Sequence, residues 1–171
     1  MNVLSLFDGL SCGQIALDSL GIKINKYLAS EINKNAITIT QNNYPNTIQL
    51  GGITNVQSVN LPKIDLLIGG SPCQGFSFAG KQLNFNDPRS KLFFEYVRLL
   101  KECKPKYFLL ENVRMQQEYL DIISDLLNVQ PIMINSADFS PQDRKRYYWT
   151  NIPYINHTLI NKIVVQKYVI L

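Results

Sequence analysis

The amino-acid sequence predicts an α/β protein with a doubly wound, mostly parallel sheet. Strand-like and helix-like segments alternate along the chain, as they do when crossover helices connect parallel strands. The strand-like segments are short, nearly continuous apolar runs, which is typical of strands covered on both faces. The last two strand-like segments have no helix between them, so they predict an antiparallel closing strand.

The first half of the chain contains four strand-like segments and two helices. Residues 2–7 form a buried strand that ends at Asp8-Gly9, and residues 12–20 carry apolar side chains at helical spacing until Gly21. A second helix ends at Tyr44-Pro45. The remaining elements of this half are strands over 26–30, 47–50 and 64–68 and a helix over 32–43.

The second half begins with a long loop and then resumes the alternation. The loop over 71–88 contains Gly75, Gly80 and two prolines. A helix over 90–103 follows, with apolar residues at helical spacing. The later elements are a strand over 107–110, a helix over 116–128 and a closing pair of strands over 132–137 and 145–152.

Composition and charge limit the class of protein. A chain of 171 residues with 46% hydrophobic and 18% charged residues fits one globular domain. The net charge of +4 permits a nucleic-acid partner without establishing one. The apolar runs are too short to span a membrane, and the N-terminus lacks the basic region of a signal peptide.

Cysteine and histidine content limits the chemistry. Three cysteines without paired spacing indicate a reducing compartment, which we take to be the cytoplasm, rather than a disulfide framework. His157 is the single histidine, which argues against a Ser-His-Asp triad, a Cys-His dyad or a His-rich metal site. Acid–base chemistry must then come from Asp, Glu, Lys, Tyr or water.

A glycine turn, Asp8 to Gly13, follows the first strand. Gly9 and Gly13 allow the backbone to turn tightly and approach a ligand, and Glu31 follows about 20 residues later, as does the ribose-binding acid of dinucleotide-binding folds. The phosphate-binding glycine spacing is absent, so a nucleoside cofactor without phosphates fits better. An ordinary strand–turn–helix glycine pair beside a surface glutamate is the alternative interpretation.

Cys73 lies in a glycine-rich loop at a predicted strand end. A loop cysteine near a helix start or a cation can be a thiolate nucleophile. Free cysteines are more often small buried apolar residues, and we interpret Cys103 in that way. The polar, turn-rich residues around Cys73 favour a functional role, and Cys12 in the glycine turn is interpreted as facing a cofactor.

Glu111 ends the apolar run of the fifth strand. A carboxyl group buried at that position would have a raised pKa and could donate a proton. A strand-end glutamate that caps a helix is the common alternative. Asn112 can satisfy backbone groups of a turn in either case.

A basic and aromatic run, residues 142–149, forms part of the last predicted strand. Arg144 and Arg146 share one face of that strand because side chains alternate. Two guanidinium groups on one face suit recognition of phosphate or carbonyl groups. A solvated edge strand is the other interpretation.

Taken together, these segments resemble the DNA cytosine-5 methyltransferase family, in order and over nearly the whole chain from Asn2 to Pro153. The family's Pro-Cys-Gln and Glu-Asn-Val motifs in one chain, followed by its Arg-x-Arg segment, are highly specific. The matching segments are Phe7-Asp8-Gly9-Leu10-Ser11-Cys12-Gly13, Glu31-Ile32, Gly70-Ser71-Pro72-Cys73-Gln74-Gly75-Phe76-Ser77, Glu111-Asn112-Val113 and Gln142-Asp143-Arg144-Lys145-Arg146-Tyr147.

The resemblance implies a Rossmann-like fold that binds S-adenosylmethionine (SAM), no metal, and methyl transfer to C5 of cytosine in DNA. Cys73 would attack ring C6, Glu111 would stabilise the adduct at N3, Arg144 would lie near the base carbonyl, and Arg146 would assist the substrate backbone or the loop. The implied cofactor-binding residues are Phe7, Asp8, Gly9, Leu10, Ser11, Gly13, Glu31, Ile32, Gly52, Ile53, Pro72 and Leu92.

Two departures from the family pattern qualify these expectations. Gly52 stands where the family commonly has an aspartate that contacts the adenine amino group. We also expect residues 1–153 to form the catalytic domain and 154–171 a short tail, with no target recognition domain and no late SAM-pocket motif. A second polypeptide could carry them. The alternatives are a SAM- or partner-binding remnant without activity, a transfer-RNA cytosine-5 methyltransferase, and a generic Rossmann-like domain.

Overall fold

A computed structural model describes residues 1–72 and 88–153, which form a mixed α/β sheet structure. Short 3₁₀ turns at 53–55, 58–60 and 136–138 interrupt the connections. The strands are β1 (Asn2–Leu6), β2 (Lys26–Ser30), β3 (Ile48–Gln49), β4 (Leu66–Gly69), β5 (Tyr107–Val113), β6 (Ile132–Asn135) and β7 (Lys145–Thr150). The helices are α1 (Cys12–Ser19), α2 (Lys34–Asn43), α3 (Pro88–Cys103) and α4 (Gln117–Leu127).

The seven strands form one sheet in the order β3-β2-β1-β4-β5-β7-β6. The pairs among β1 to β5 are parallel, and β7 runs antiparallel to both β5 and β6. The predicted fold class is therefore confirmed, including the antiparallel closing strand. The first strand lies in the interior of the sheet, so the connections run outwards in both directions and place helices on both faces.

Three of the predicted boundaries that differ from the structure have a clear structural reason. The second helix begins at Lys34 because the side chain of Asn33 caps it, accepting hydrogen bonds from the N–H groups of Asn35 and Ala36. The third helix begins at Pro88. Proline is favoured at a helix start because the first N–H groups of a helix have no partner within the helix, so the missing N–H costs nothing there. The fifth strand extends to Val113 because β7 pairs with its final residues.

The main core lies between the sheet and helices α3 and α4. Leu4, Leu67, Leu110 and the ring of Trp149 have no exposed surface there. Trp149 also satisfies its indole N–H by donating to Ser124 Oγ at 3.0 Å. The closing strand is thereby fixed to α4 by both apolar burial and a hydrogen bond.

The opposite face of the sheet carries α1, which approaches the strands closely at Gly13. A Cβ atom at Gly13 would lie 2.3 Å from Ile68 Cδ1 and 3.2 Å from the Tyr27 hydroxyl. Glycine at this position therefore allows the helix to rest directly on the sheet. Over residues 1–72 and 88–153, no helix is long and apolar enough to cross a membrane.

Candidate active site

The turn between β1 and α1 is held in place by the Asp8 side chain. Its Oδ1 accepts a hydrogen bond from the Tyr27 hydroxyl at 2.8 Å, and its Oδ2 accepts one from the Ser11 hydroxyl. Phe7 and Ser11 both have a φ of 57°, in the left-handed region that non-glycine residues seldom adopt. Burial, and then the charge of Asp8, raises the pKa of Tyr27, which keeps this hydroxyl a donor.

The carboxylate of Glu31 connects this turn to the start of α2. Its Oε2 accepts from the Gly9 N–H at 2.8 Å, and its Oε1 accepts from the N–H groups of Ile32 and Asn33 at 2.8 Å each. A carboxylate oxygen can accept about two hydrogen bonds, so Oε2 keeps capacity for a ligand hydroxyl.

A cavity of about 290 Å³ lies beside Glu31 at the carboxyl edge of the parallel strands. The Ile32 side chain in its wall is 77% exposed, which leaves an apolar surface that a flat ligand could cover. The lining residues are Phe7, Ser30, Glu31, Ile32, Gly52, Ile53, Thr54, Pro72 and Leu92.

The cavity thus brings together one part of the predicted cofactor set and leaves out another. The residues that line it are Phe7, Glu31, Ile32, Gly52, Ile53, Pro72 and Leu92. Those that do not line it are Asp8, Gly9, Leu10, Ser11 and Gly13, which form the turn. Ser30 and Thr54 were missed by the sequence analysis, although each adjoins a predicted residue.

A second group of functional side chains surrounds Glu111 in β5. Its Oε1 lies 2.9 Å from Arg146 Nε and 3.8 Å from Arg144 Nη2. Both arginines therefore face the same carboxylate, as strand alternation predicted. The Arg146 side chain is 19% exposed and Arg144 is 50% exposed, so Arg146 is the fixed partner and Arg144 faces solvent.

The Nε–H of Arg146 has unused hydrogen-bonding capacity. This proton is not aligned with the Glu111 oxygen despite the short distance, and among the described residues it has no acceptor. The guanidinium is oriented instead by Nη1, which donates to the Lys145 carbonyl at 2.8 Å. The Nε atom is buried, so its free N–H faces the protein rather than the solvent.

Tyr148 is a site residue that the sequence analysis missed. It pairs directly with Glu111 across β5 and β7. Burial, and then the neighbouring Glu111 carboxylate, raises the pKa of Tyr148, so the phenol stays protonated. Side-chain alternation places Tyr148 on the same face as Arg146, but the sequence does not show that β5 is the neighbouring strand.

The segment that leads into the predicted nucleophile loop is anchored to β5. Asn112, almost fully buried, donates from Nδ2 to Ser71 Oγ at 3.1 Å and to the Ser71 carbonyl at 3.5 Å. A Cβ atom at Gly70 would lie 2.9 Å from Glu111 Oε2, so glycine there leaves room for the carboxylate. Cys73 itself lies outside the described residues, separated from Ser71 by Pro72.

The two other cysteines are placed as separate, unpaired side chains. Cys12 is exposed at the start of α1, and Cys103 is partly buried at the end of α3. Burial raises the pKa of the Cys103 thiol, in line with its interpretation as a packing residue. Over residues 1–72 and 88–153, no group of three His, Cys, Asp or Glu side chains could hold a metal ion.

The sheet order, the antiparallel last strand and the position of the cavity define the class of SAM-dependent methyltransferases, and solved structures similar to this chain belong to that class. Within the class, the chain belongs to the C-5 cytosine-specific DNA methylase family, whose model matches residues 1–166. The family resemblance noted in the sequence is confirmed.

Curated relatives include viral and bacterial enzymes. The orphan methyltransferase M.SPRI of Bacillus phage SPR is 35% identical over 161 residues, covering 86% of this chain and 37% of the relative. The type II methyltransferase M.NlaIV of Neisseria lactamica is 40% identical over 139 residues, covering 71% of this chain and 33% of the relative. The chain thus spans about a third of the length of these relatives.

Solved structures similar to this chain are also methyltransferases. A DNA modification methyltransferase encoded within an E. coli prophage aligns with a TM-score of 0.65 and 29% identity over 88% of this chain and 46% of its own. A mutant of Spodoptera frugiperda DNMT2 aligns with a TM-score of 0.66 and 25% identity over 91% of this chain and 52% of its own.

Proposed function

We propose that this chain is the cofactor-binding and catalytic part of a DNA cytosine-5 methyltransferase of the phage or restriction–modification type, with residues 1–153 as its catalytic domain and 154–171 as a tail. The observation that carries the proposal is the cluster of Glu111, Arg144 and Arg146. It lies at the edge of the sheet where β4 leads to Cys73. Acid, cation and nucleophile motifs then converge on one edge, where α/β sheets bind their ligands.

The cavity beside Glu31 fits SAM by its chemistry. Apolar side chains on its walls, among them Ile32 and Leu92, suit the faces of a purine, and the free capacity of Glu31 Oε2 suits a ribose hydroxyl. When bound there, SAM supplies an electrophilic methyl group on a sulfonium. The part of this chain is to orient the nucleoside and to exclude water from one side of it.

The proposed covalent chemistry begins at Cys73. Its thiolate forms a bond to cytosine C6, and the electron pair displaced onto the ring makes C5 nucleophilic. C5 would then accept the methyl group of SAM, whose sulfonium sulfur would keep the electron pair of the broken S–CH3 bond as a neutral thioether. Loss of the C5 proton to water or hydroxide would then break the S–C6 bond and return the thiolate. This sequence requires no histidine base, and the target cytosine must be turned out of the duplex to reach the site.

Glu111 and the two arginines supply the charge that the adduct needs. A carboxyl group at ring N3 stabilises the electron-rich ring by donating or sharing a proton. Arg146 lies with Nε 2.9 Å from Oε1 of Glu111 and fixes the position of the carboxylate. The more exposed Arg144 suits the base carbonyl or a neighbouring phosphate.

RNA is the second candidate substrate, because one structural neighbour is a DNMT2 protein and the catalytic motifs do not distinguish nucleic acids. A binding remnant without activity is the third candidate. Methyl transfer measured in parallel on DNA and on transfer RNA, with tritiated SAM, separates the three.

The decisive experiment is covalent trapping on DNA that contains 5-fluorocytosine. Fluorine at C5 cannot leave as the proton does, so the S–C6 bond persists and the adduct can be detected by mass spectrometry. The chain should be co-expressed with the part of the phage SPR relative that lies beyond the matched residues. We expect an adduct on Cys73 that C73S abolishes and the matched control C103S retains. An adduct in C73S, or none in the complemented wild type, contradicts the proposal.

A further inference from the structure

The cavity beside Glu31 is lined by parts of the chain that lie far apart in the sequence. Leu92 of α3 contributes to its lining, and so does the segment from Gly52 to Thr54, which includes the start of the first 3₁₀ turn. The shape of the cavity therefore depends on how α3 and this segment are held against each other. We call residues 53–60, which contain two 3₁₀ turns, the wall segment.

The chain enters the wall segment through a pair of glycines. Gly51 has a φ of 72°, and a Cβ atom there would meet nothing within 4 Å. The Ser30 hydroxyl donates to the Gly51 carbonyl at 2.8 Å, which joins this residue to the sheet. Glycine restricts backbone rotation less than any other residue, so the backbone before Ile53 does not by itself fix where the wall segment lies. Its position depends on contacts made farther along the chain.

Arg98 of α3 makes a polar contact between the helix and the wall segment. Its Nη2 donates to the Val56 carbonyl at 2.9 Å. Nε and Nη2 also donate to Glu95 Oε2 at 2.9 and 2.7 Å, and Nη1 donates to Glu102 Oε2 at 2.9 Å. A hydrogen bond from the Ser58 hydroxyl lowers the pKa of Glu102, which joins the second 3₁₀ turn to the same cluster. Two carboxylates of α3 thus orient the guanidinium toward the wall segment.

The Val56 carbonyl is connected directly to the lining of the cavity. The Val56 N–H donates to the Ile53 carbonyl at 3.1 Å, and the Asn55 N–H donates to the Gly52 carbonyl at 3.0 Å, which are the bonds of a 3₁₀ turn. Ile53 and Val56 are each 4% exposed and pack in the main core with residues of α3. Because the turn is short and internally bonded, holding Val56 also holds Ile53.

We infer that Arg98 is a positioning residue for the cofactor: by holding the Val56 carbonyl, it keeps the wall of Gly52 to Thr54 in the position that binds the nucleoside. The inference rests on the proposed function, because it takes this cavity to be the SAM site. Within the described part of the chain Arg98 is not among the lining residues, so it acts through the wall segment. Arginine suits this task because its planar fork holds two carboxylates and a carbonyl at once.

Three variants separate positioning of the cavity wall from overall stability. R98M keeps an unbranched side chain and removes every donor. K101M removes one positive charge from an exposed position in the last turn of the same helix. S124A removes the buried hydroxyl of α4 that accepts the Trp149 indole N–H, so it lowers the free energy of unfolding from a helix that does not line the cavity.

Two measurements on the isolated chain are made for each variant. Amide chemical-shift titration with S-adenosylhomocysteine, the demethylated product of SAM, gives the affinity even when binding is weak. We expect R98M to weaken this binding about fivefold or more, the low end of couplings between a site and a remote contact. Native-state hydrogen exchange should show the Asn55 and Val56 N–H groups exchanging about tenfold faster in R98M, because a hydrogen bond from a charged group is lost.

The controls should behave differently. K101M should leave both the affinity and the exchange unchanged, and S124A should leave the affinity unchanged although it lowers the free energy of unfolding. R98K keeps a cation that can reach the Val56 carbonyl but cannot hold all three acceptors, so its affinity should lie between those of wild type and R98M. R98K also provides the test if R98M does not fold.

The wild-type titration distinguishes failure of the inference from failure of the proposed function. Binding by wild type that R98M or a substituting R98K leaves unchanged would make Arg98 a stabilising residue only and overturn the inference. An equal loss of affinity in S124A would overturn it as well, since affinity would then follow overall stability. A wild-type chain that does not bind S-adenosylhomocysteine at all would contradict the proposed cofactor cavity, and the inference would fall with it.

Discussion

The packing of α1 against the sheet at Gly13 gives a prediction that the isolated chain can test. In G13A, the new methyl group would lie 2.3 Å from Ile68 Cδ1, well inside van der Waals contact, and 3.2 Å from the Tyr27 hydroxyl. Asp8 holds that hydroxyl, so the Ile68 side chain must move, and because Cδ1 is the far end of a flexible side chain its rotation relieves part of the overlap. Overpacking of this kind costs about 1–3 kcal/mol, against a helix-propensity gain of at most about 1 kcal/mol. We therefore expect G13A to lower the free energy of unfolding by up to about 2 kcal/mol.

The variant I68V makes the explanation specific, because it removes the Cδ1 atom that the new methyl group meets. Alone, I68V should cost about 0.5–1.5 kcal/mol. In the double variant G13A/I68V the two losses should not add, and the coupling should recover about 1 kcal/mol. Urea unfolding followed by circular dichroism measures all four proteins. A G13A chain more stable than wild type, or strictly additive losses, would refute the close packing of α1.

Three further predictions concern the site. The isolated chain should bind SAM weakly, and G52D should increase its affinity for SAM about fivefold, as measured by calorimetry. A Cβ at Gly52 lies 3.5 Å from Ile32, in ordinary contact, and the added carboxylate supplies one hydrogen bond to adenine. The control G52A lacks the carboxylate and should leave the affinity unchanged. The isolated chain should not methylate DNA detectably with tritiated SAM. Specific protein–DNA interfaces bury about 1,000 Å² or more of protein surface, whereas the basic residues around Arg144 supply mainly phosphate contacts. Robust turnover that C73S abolishes would contradict this expectation. N112D should lower the free energy of unfolding by about 1–3 kcal/mol, because it removes the donor to buried Ser71, and an unchanged urea midpoint would show that this contact is not stabilising.

The sequence was sufficient to predict the sheet and to place the glycine turn and Glu31 at the ends of its first two strands. Apolar strands between helices follow from local periodicity, which is visible within each segment. The shared face of Arg144 and Arg146 also followed, because strand alternation is a local property. The family resemblance then named the chemistry of each segment.

Pairing across distant strands was the part that the sequence could not supply. That Tyr148 lies opposite Glu111, or that Asn112 holds Ser71, depends on the register of β5 against β7 and β4. The family resemblance assigned the residues of the turn after β1 to the cofactor as one group. In the structure, the Asp8 carboxylate instead accepts hydrogen bonds from Tyr27 and Ser11. Such a bond joins two strands, and no spacing within one motif predicts it.

The sheet order has a consequence for synthesis of the chain on the ribosome. β7 is the last of the described strands to be made, yet it lies between β5 and β6, and among those strands β6 pairs with no other. Until about residue 150 has emerged, the apolar edge of β5 and both edges of β6 remain open, which is the condition under which nascent sheets aggregate. The same late strand delivers Arg146 to Glu111. The residues that line the cavity beside Glu31 are therefore synthesised before Arg146, and the cluster of Glu111 and Arg146 can form only once β7 has been inserted.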